Sequence, residues 1–484
     1  MRFDTKKSVG TVLAAMTLGS CTAGWAIIVD QPPAFAVAPS WVNVGSAAFT
    51  AGAASGPKIA IDSKGTPYVL YSNTNNTYKL TAMKYTGSTW TNVGAAGFSS
   101  DYAYVNDFAI DGNDVPYAAY KDGDHSDGVT VMKFTGSWSA VGAAGFSNAA
   151  HGVTLAFDGS NMPYVAAVDG SSGSSGYLSV LKYDGSWSAV GAASLPSDLV
   201  SSGKIAVDSS NKPYVAYAKF STLKANMITY DGATWGLVGS ADFSPSTTGL
   251  AALVMGSGDT PYVAFAEQST YKATVMGYGG AWGFVGAQNF SPGTIAGMDM
   301  ALDSSGTPYV VIVDVASSGK GTVMKFDGSG WTAVGTPGFT PGNIPSATIA
   351  FDGSDTLYVV YQDYSDFSSR ASAMKYVQPL SVQENTTAVA DINATDDLDT
   401  VSYSISGTDS ALFDIDGSSG VLSFKTAPDF ENPQDLNGDN IYVLTVTASA
   451  GGQHTGKQVH VTVTDDPDES TATFLPAVNM YLMD

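Results

Sequence analysis

A tryptophan that returns at a nearly constant interval is the feature that most constrains how this chain folds. It occurs seven times, at steps of 49, 48, 49, 48, 47 and 49 residues: Trp41, Trp90, Trp138, Trp187, Trp235, Trp282 and Trp331. Each copy has Val-Gly at the third and fourth following positions, and six have Phe at the eighth, where the fourth copy has Leu195. A fixed period of this length indicates a solenoid, a propeller or another repeat array.

Each repeat contains four short apolar segments separated by turn residues. In the fourth repeat they cover residues 204–208, 213–217, 227–231 and 235–239. Segments rich in Val, Ile, Tyr and Trp and bounded by Gly, Asp, Asn and Ser predict antiparallel strands joined by hairpins. Four strands in about 48 residues correspond to one propeller blade, and several such blades make a ring.

The two ends of the repeat array complement each other. The last repeat has segments at 347–351, 357–361 and 373–377 but no tryptophan strand, while the first tryptophan strand, 41–45, precedes every complete repeat. Pairing these two ends leaves no open sheet edge. The sequence therefore predicts an all-β protein with a seven-bladed β-propeller over residues 41–377, closed by its N-terminal strand.

An aspartate follows the first strand of six repeats, and Gly256 takes its place in the fifth. The six are Asp62, Asp111, Asp158, Asp208, Asp303 and Asp352. We expect this side chain to cap the following turn through the backbone of that turn. The second repeat has its own acidic loop, residues 122–127, with three carboxylates and His125. These residues indicate either a cation-binding loop or a solvated loop tip, and we favour the loop tip.

The N-terminal 36 residues have the pattern of an export signal, with two lysines ahead of an apolar run. Two forms of processing stay open. Leu18-Gly-Ser-Cys21 resembles a bacterial lipoprotein box, in which Cys21 would be lipidated, whereas Ala34-Phe-Ala36 is a small-x-small cleavage site. A retained anchor is a third alternative, because the run from Val9 to Val29 is almost long enough to span a bilayer. We expect an exported protein, secreted or at the cell surface, with no transmembrane span after the signal.

Charge excludes some partners. The chain carries a net charge of −23, of which −15 falls in residues 378–484 and −9 in the repeat region. Such a surface repels nucleic acid and anionic lipid. Cys21 is the only cysteine, so the sequence predicts no disulfide and no cysteine nucleophile.

Signals for catalysis are few. The four histidines are scattered without ligand spacing, and Arg2 and Arg370 are the only arginines, which argues against sialidase-type recognition of a carboxylate by several arginines. No phosphate loop, serine elbow or cysteine–histidine pair is present. A pair of carboxylates for glycoside hydrolysis stays open, because the distance between them is a property of the fold.

After Tyr376 the period stops and acidic residues become dense. From Leu380 the chain resembles a bacterial cadherin-like domain, an immunoglobulin-like β-sandwich. The resemblance covers about 380–469 and rests on linked motifs in order: Glu384-Asn385, Ala394-Thr-Asp-Asp-Leu-Asp399, Phe413-Asp-Ile-Asp416, Asp429-Phe-Glu431, Tyr442-Val-Leu-Thr-Val-Thr-Ala448 and Asp465-Asp-Pro-Asp468-Glu469. Domain boundaries follow: a signal at 1–36, the propeller, the cadherin-like domain at 378–469 and a tail at 470–484.

The resemblance implies a weak Ca²⁺ site. In that family Glu384, Asp429, Glu431, Asp465 and Asp468 would gather at one end of the sandwich, while Asp396 and Asp399 would face the preceding domain. Two departures weaken the match, since Ala450 and Pro467 replace an expected Asp and an expected Asn. Independently of the family, Ca²⁺ prefers six to eight oxygen ligands, which carboxylates at loop ends provide. An acidic surface without an ion is the alternative.

These observations favour a Ca²⁺-dependent binding or adhesion protein, with the propeller as the binding platform and the cadherin-like domain as spacer or adhesive. Its partners would be a protein or a glycan of a cell surface or matrix, with homophilic contact through the cadherin-like domain as a further expectation. The first alternative is a secreted propeller enzyme acting on polysaccharides, with the sandwich as an accessory. A structural matrix protein is the second. Scarce His and Arg favour binding over catalysis.

Overall fold

The structure, a computed structural model, describes residues 40–170, 175–191, 195, 198–365, 369–377, 380–391, 401–436, 438–450 and 453–466. The predicted export signal with Cys21, the residues Asp396, Asp399 and Asp468, and the tail 470–484 lie outside the described residues. Within them the protein is all-β, with no α-helix and short 3₁₀ turns at Thr74–Asn76, Gly123–His125, Ser257–Asp259, Val315–Ser317 and Ser410–Leu412. In this part of the chain no helix has the length and apolarity needed to cross a membrane.

Residues 40–377 form seven four-stranded antiparallel sheets, numbered here sheet 1 to sheet 7. The strands, in chain order, are β1 (Ser40–Asn43); in sheet 1, β2 (Ala54–Ile61), β3 (Pro67–Asn73), β4 (Lys79–Tyr85) and β5 (Trp90–Asn92); in sheet 2, β6 (Ala103–Ile110), β7 (Pro116–Asp122), β8 (Gly128–Phe134) and β9 (Trp138–Ala140); in sheet 3, β10 (Ala150–Phe157), β11 (Pro163–Asp169), β12 (Tyr177–Tyr183) and β13 (Trp187–Ala189); in sheet 4, β14 (Val200–Val207), β15 (Pro213–Lys219), β16 (Ala225–Tyr230) and β17 (Trp235–Leu237); in sheet 5, β18 (Thr248–Met255), β19 (Pro261–Glu267), β20 (Lys272–Tyr278) and β21 (Trp282–Phe284); in sheet 6, β22 (Ile295–Leu302), β23 (Pro308–Asp314), β24 (Lys320–Phe326) and β25 (Trp331–Ala333); and in sheet 7, β26 (Ala347–Phe351), β27 (Leu357–Asp363) and β28 (Arg370–Val377).

The first strands of the sheets, called here the inner strands, contact one another in a closed cycle. Each of β2, β6, β10, β14, β18 and β22 packs on the next, and β26 packs back on β2. Sheet 7 receives its fourth strand from the other end of the chain. The expected pairing is present, with Trp41 opposite Tyr376 and Asn43 opposite Met374 between β1 and β28.

The repeated tryptophan joins each sheet to the one before it. Its indole N–H donates to the carbonyl of the valine in the preceding Trp-x-x-Val-Gly motif, as in Trp90 to Val44 at 2.7 Å. The same bond recurs through the array, and Trp41 closes the cycle by donating to Val334 at 3.1 Å. Six of the indoles also stack on the phenylalanine of the preceding motif, with ring centroids 3.7 to 4.2 Å apart.

The glycine of the motif is required by this contact. Gly45 has φ of +71°, and a Cβ at that position would lie 2.9 Å from Cε2 of Tyr85, close to the indole of Trp90. A side chain there would meet both backbone strain and the neighbouring rings. The motif is therefore a joint between sheets, and this explains its constant spacing.

The turns after the inner strands, which we call the turn face, are polar and cross-linked. As expected, the aspartate that follows each of six inner strands caps its turn: Asp62 accepts from the N–H groups of Lys64 and Thr66. The other five do the same. Side chains of five turns also accept backbone N–H groups of the preceding sheet: Asp114, Asn161, Asn211, Asp259 and Asp355. This face is thus tied together by its own hydrogen bonds.

The remaining strands form two sheets around a separate core. They are β29 (Leu380–Gln383), β30 (Ala388–Asp391), β31 (Ser402–Ser406), β32 (Phe413–Ile415), β33 (Val421–Phe424), β34 (Ile441–Ala450) and β35 (Gln453–Thr464). One sheet has the order β29-β35-β34-β31 and the other β30-β33-β32. Buried side chains of both sheets, such as Phe413, Tyr442 and Val461, share the core.

The pairing of β1 with β28 gives a first prediction. A chain that starts at residue 47 should have a lower melting temperature than one that starts at residue 37, because β28 would lose its outer partner and expose an unpaired edge. The Trp41 bond to Val334 would be lost as well. Differential scanning calorimetry of the two chains makes the comparison, and equal melting temperatures would contradict the role assigned to β1.

Candidate functional site

A cavity of about 680 Å³ lies where the inner strands converge, and we call it the central channel. One position of every inner strand lines it, four residues before the Asp or Gly that ends the strand: Lys58, Asp107, Thr154, Lys204, Ala252, Asp299 and Thr348. The charge of the residue at this position differs between repeats. Charged residues occupy it in sheets 1, 2, 4 and 6, and their signs alternate around the ring.

The two aspartates of the ring are anchored to backbone. Asp107 accepts the N–H of Leu155, on the next inner strand, at 2.8 Å and the N–H of Phe108 at 2.9 Å. Asp299 accepts the N–H of Ile349, again on the next inner strand, at 3.2 Å. Both carboxylates are therefore held in place, and each oxygen keeps acceptor capacity beyond one bond.

The two lysines of the ring are less constrained. None of the ion pairs found among the described residues involves Lys58 or Lys204. Burial lowers the pKa of Lys204, and the positive charge of Lys58 lowers it further, against the opposite effect of Asp107 and Asp299. Burial raises the pKa of the Asp299 carboxyl, against the effect of Lys58 and of its backbone bonds. For Lys204 and Asp299, burial in the channel therefore disfavours the charged form.

The opposite face of the ring from the turn face, which we call the loop face, exposes apolar side chains. It contains the starts of the inner strands and the connections between the second and third strands of each sheet. Of the ten exposed large apolar side chains described in sheets 1 to 7, only Leu237 and Phe284 lie elsewhere, on outer strands. The other eight are on the loop face: Tyr78, Tyr104, Tyr177, Leu199, Phe220, Tyr271, Val315 and Tyr364.

Two of these tyrosines have unusual backbone. Tyr78 has φ of +59° and Tyr271 has φ of +53°, a left-handed conformation that is rare for bulky residues. The same connection has left-handed residues in other sheets, such as Asp127 in sheet 2 and Ser318 in sheet 6, so this conformation is part of the repeat. Tyr78 lies 5.6 Å from the ring of Tyr104, and Tyr104 lies 6.0 Å from that of Tyr102. Tyr271, which is 58 % exposed, also lines the channel, so the channel opens onto the loop face.

The acidic loop of the second repeat is held by its own hydrogen bonds. The buried carboxylate of Asp122 accepts the hydroxyl of Thr130 at 2.6 Å and lies 3.0 Å from Nδ1 of His125. Asp127 pairs with Lys121 at 3.1 Å. Two of its three carboxylates are therefore engaged within sheet 2, and Asp122 is buried rather than part of a solvated loop tip.

Three of the predicted Ca²⁺ ligands come together at one end of the second group of strands. Glu384, Asp429 and Glu431 each place a carboxylate oxygen within 4.8 Å of the other two. The oxygens of Glu384, which is buried, accept the N–H groups of Phe430 and Asp466, both at 2.8 Å. Burial raises the pKa of Glu431, and the charges of Glu384, Asp465 and Asp429 add to this effect. We call the cluster of Glu384, Asp429 and Glu431 the acidic end. The charge of Asp465 acts on it, although Asp465 is not one of the three residues whose oxygens approach within 4.8 Å, and Asp396, Asp399 and Asp468 lie outside the described residues.

The charged residues that line the central channel were not predicted from the sequence. A signal for them existed. Aligning the repeats on Asp62 and its equivalents places Lys58 and Lys204 four residues earlier, where a strand buried on both faces should be apolar. That alignment does not show that the four charges share one cavity, which depends on closure of the ring.

No known protein family matches the chain, and no curated protein does. Among solved structures, a mutant of Aleuria aurantia lectin in complex with Fucalpha1-6GlcNAc is 16 % identical with a TM-score of 0.42, covering 61 % of this chain and 99 % of its own. AofleA from Arthrobotrys oligospora is 10 % identical with a TM-score of 0.40, covering 70 % and 93 %. An extracellular domain of a putative one-component system from B. thetaiotaomicron is 12 % identical with a TM-score of 0.43, covering 86 % and 52 %.

The raised pKa of Asp299 gives a second prediction. A carboxyl whose pKa is higher in the folded state contributes stability at low pH and loses it as the pH rises through the folded value. Asp299→Asn keeps an acceptor for Ile349 and removes the buried charge, so it should raise the melting temperature at pH 7. The gain should vanish below pH about 4, where an ordinary Asp is also protonated. Asp124→Asn, on an exposed loop, is the matched control. A destabilised Asp299→Asn at pH 7 would contradict the assignment.

Proposed function

We propose that the protein is an exported glycan-binding protein that holds carbohydrate on the loop face of a seven-bladed β-propeller. A cadherin-like β-sandwich that binds Ca²⁺ follows the propeller. The single observation that carries the binding function is the concentration of exposed tyrosines on the loop face. The closed cycle of seven inner strands supports the seven blades.

Tyrosine rings suit carbohydrate in particular. A sugar presents a face of C–H groups that packs on an aromatic ring, while its hydroxyl groups need hydrogen-bond partners. Tyrosine provides both an apolar ring and a polar tip. Exposed apolar side chains gathered on one face mark an interaction surface, whereas isolated ones need no explanation. The net charge of −23 opposes nucleic acid as the partner.

The loop face is favoured over the turn face because the exposed aromatic side chains described in the sheets are concentrated on it. Five turns of the turn face are bonded to the neighbouring sheet through side chains that accept backbone N–H groups. The exposed large apolar side chains described in the sheets lie on the loop face or on outer strands. A ligand at the loop face would contact aromatic rings that the fold leaves in solvent.

A polysaccharide hydrolase is the second candidate, because the central channel holds two carboxylates, Asp107 and Asp299, with Tyr271 among its lining residues. A carboxyl with a raised pKa, such as that of Asp299, is what a general acid requires. Binding is favoured, since both oxygens of Asp107 already accept backbone N–H groups. Release of reducing sugar from a polysaccharide panel, abolished in Asp299→Asn, would establish the hydrolase instead.

The proposal of a Ca²⁺ site is supported by the acidic end. Its carboxylates come from separate parts of the sequence, at positions 384, 429 and 431, and approach within 4.8 Å. Like charges at that distance repel, and a divalent cation converts the repulsion into coordination. With one oxygen from each residue, the cluster provides three of the six to eight oxygens that Ca²⁺ prefers. We therefore expect weak binding, in the range of roughly 10⁻⁴–10⁻³ M typical of extracellular modules. Export, adhesion and homophilic contact through this domain complete the proposal.

Binding on the loop face gives a third prediction. On a glycan array, the labelled exported chain should bind at least one class of glycan, and Tyr78→Ala with Tyr104→Ala should reduce the signal tenfold or more. The reason is that much of the affinity for a glycan comes from packing of the sugar on exposed aromatic rings. Leu237→Ala with Phe284→Ala, equally exposed on outer strands, is the matched control and should bind as the parent does. A chain that binds no glycan on the array would overturn the proposed function.

The acidic end gives a fourth prediction. Millimolar Ca²⁺ should raise the melting transition of the second group of strands relative to chelator, because an ion that binds only the folded state stabilises it. Asp429→Asn with Glu431→Gln should remove this shift, whereas Asp414→Asn, exposed in the same part of the chain, should leave it intact. Scanning calorimetry of the full exported chain resolves the transition, and a transition insensitive to Ca²⁺ in the parent would refute the site.

A further inference from the structure

We propose that the central channel is a single binding site for one neutral sugar unit, held by Lys58, Lys204, Asp107 and Asp299. The inference rests on the proposed function and goes beyond it, because it assigns a subsite, a stoichiometry and a class of sugar. The loop face offers aromatic rings at several places around the ring, whereas the channel lies on its axis and exists once per chain.

The first argument is the alternation of charge. Proceeding around the ring, the charged side chains are Lys58, Asp107, Lys204 and Asp299, so donors and acceptors alternate and their formal charges cancel. The two aspartates would repel a small anion, and the two lysines would repel a small cation. Each hydroxyl of a vicinal diol both donates and accepts, so a neutral sugar satisfies groups of both kinds.

The second argument is the state of the two lysines. Their ammonium groups bring three donors each into the cavity, and neither takes part in an ion pair among the described residues. The carboxylates are instead fixed by backbone N–H groups of neighbouring strands. The two lysines therefore keep donors that a ligand in the channel could engage, while the aspartates keep the acceptor capacity that their backbone bonds leave over.

The third argument is the shape and polarity of the walls. Apolar residues line the channel between the charged ones, including Ile59, Leu155 and Leu250, and Ala252 of sheet 5 replaces a charged residue. A cavity that offers both apolar and polar groups matches a sugar ring, which has a C–H face and hydroxyl groups. A volume of about 680 Å³ accommodates one sugar unit together with water.

The fourth argument is the entrance. Tyr271 lines the channel, is 58 % exposed on the loop face and has left-handed backbone with φ of +53°. A terminal sugar in the channel would leave the next unit of the glycan beside this ring. The channel and the loop face would then bind successive units of one chain end.

Isothermal titration of the full exported chain tests the inference. The probes are D-glucose, D-galactose, D-mannose, L-fucose and D-xylose, with D-glucuronate as the charged comparison. We expect at least one neutral sugar to bind with a stoichiometry of one per chain. Lys204→Met and Asp299→Asn should each weaken it tenfold or more, while Lys64→Met and Asp124→Asn, outside the channel, should leave it unchanged. Melting temperatures at or above that of the parent show that the channel variants are folded.

Several results would overturn the inference: no heat with any neutral sugar, more than one site per chain, binding of glucuronate alone, or channel variants that bind as the parent does. A crystal soaked in the same sugar gives a second measurement, and sugar density only on the loop face would also overturn it. The two proposals fail separately. A chain that binds glycans on the array but not through the channel keeps the proposed function and loses this inference.

Discussion

The contact between each tryptophan and the preceding sheet is the interaction on which the rest of the structure depends. Inner strands of neighbouring sheets share no ladder of hydrogen bonds, so the sheets need another means of holding a fixed orientation. The indole N–H of Trp90 and the ring of Phe49 provide it, and the same pair recurs around the ring until Trp41 meets Val334 and Phe339. Because this joint lies at the periphery, the axis is left free to vary.

That freedom explains where function can reside. The residues of the joint and the aspartates that cap the turns are repeated, and their contacts are satisfied within the fold. The residue of each inner strand that lines the central channel, by contrast, differs in charge from sheet to sheet, from Lys58 to Asp107 to Ala252. A buried charge such as that of Asp299 opposes folding at neutral pH, and a stable peripheral framework is what allows the chain to retain it.

At the acidic end, as in the central channel, backbone N–H groups hold a carboxylate in place. Glu384 is positioned by the N–H groups of Phe430 and Asp466, so its carboxylate is fixed before any ion arrives. Asp429 and Glu431 are exposed and bring the charge that a cation would neutralise. Buried core residues such as Phe413 and Tyr442 hold the strands that carry these loops. In both places backbone N–H groups hold carboxylates in position. At the acidic end the like charges repel one another, whereas in the channel charges of both signs alternate.

The sequence by itself determined the all-β class, the four strands of each repeat and the pairing of Trp41 with Tyr376, because period, turn residues and an incomplete last repeat are local properties. It also pointed to Glu384, Asp429 and Glu431 as one cluster, through a resemblance rather than through geometry. Only the tertiary structure decided that Lys58, Asp107, Lys204 and Asp299 face one channel and that the exposed tyrosines share one face. The four channel residues are about 50 to 240 positions apart, and their proximity arises from ring closure, which no local pattern encodes.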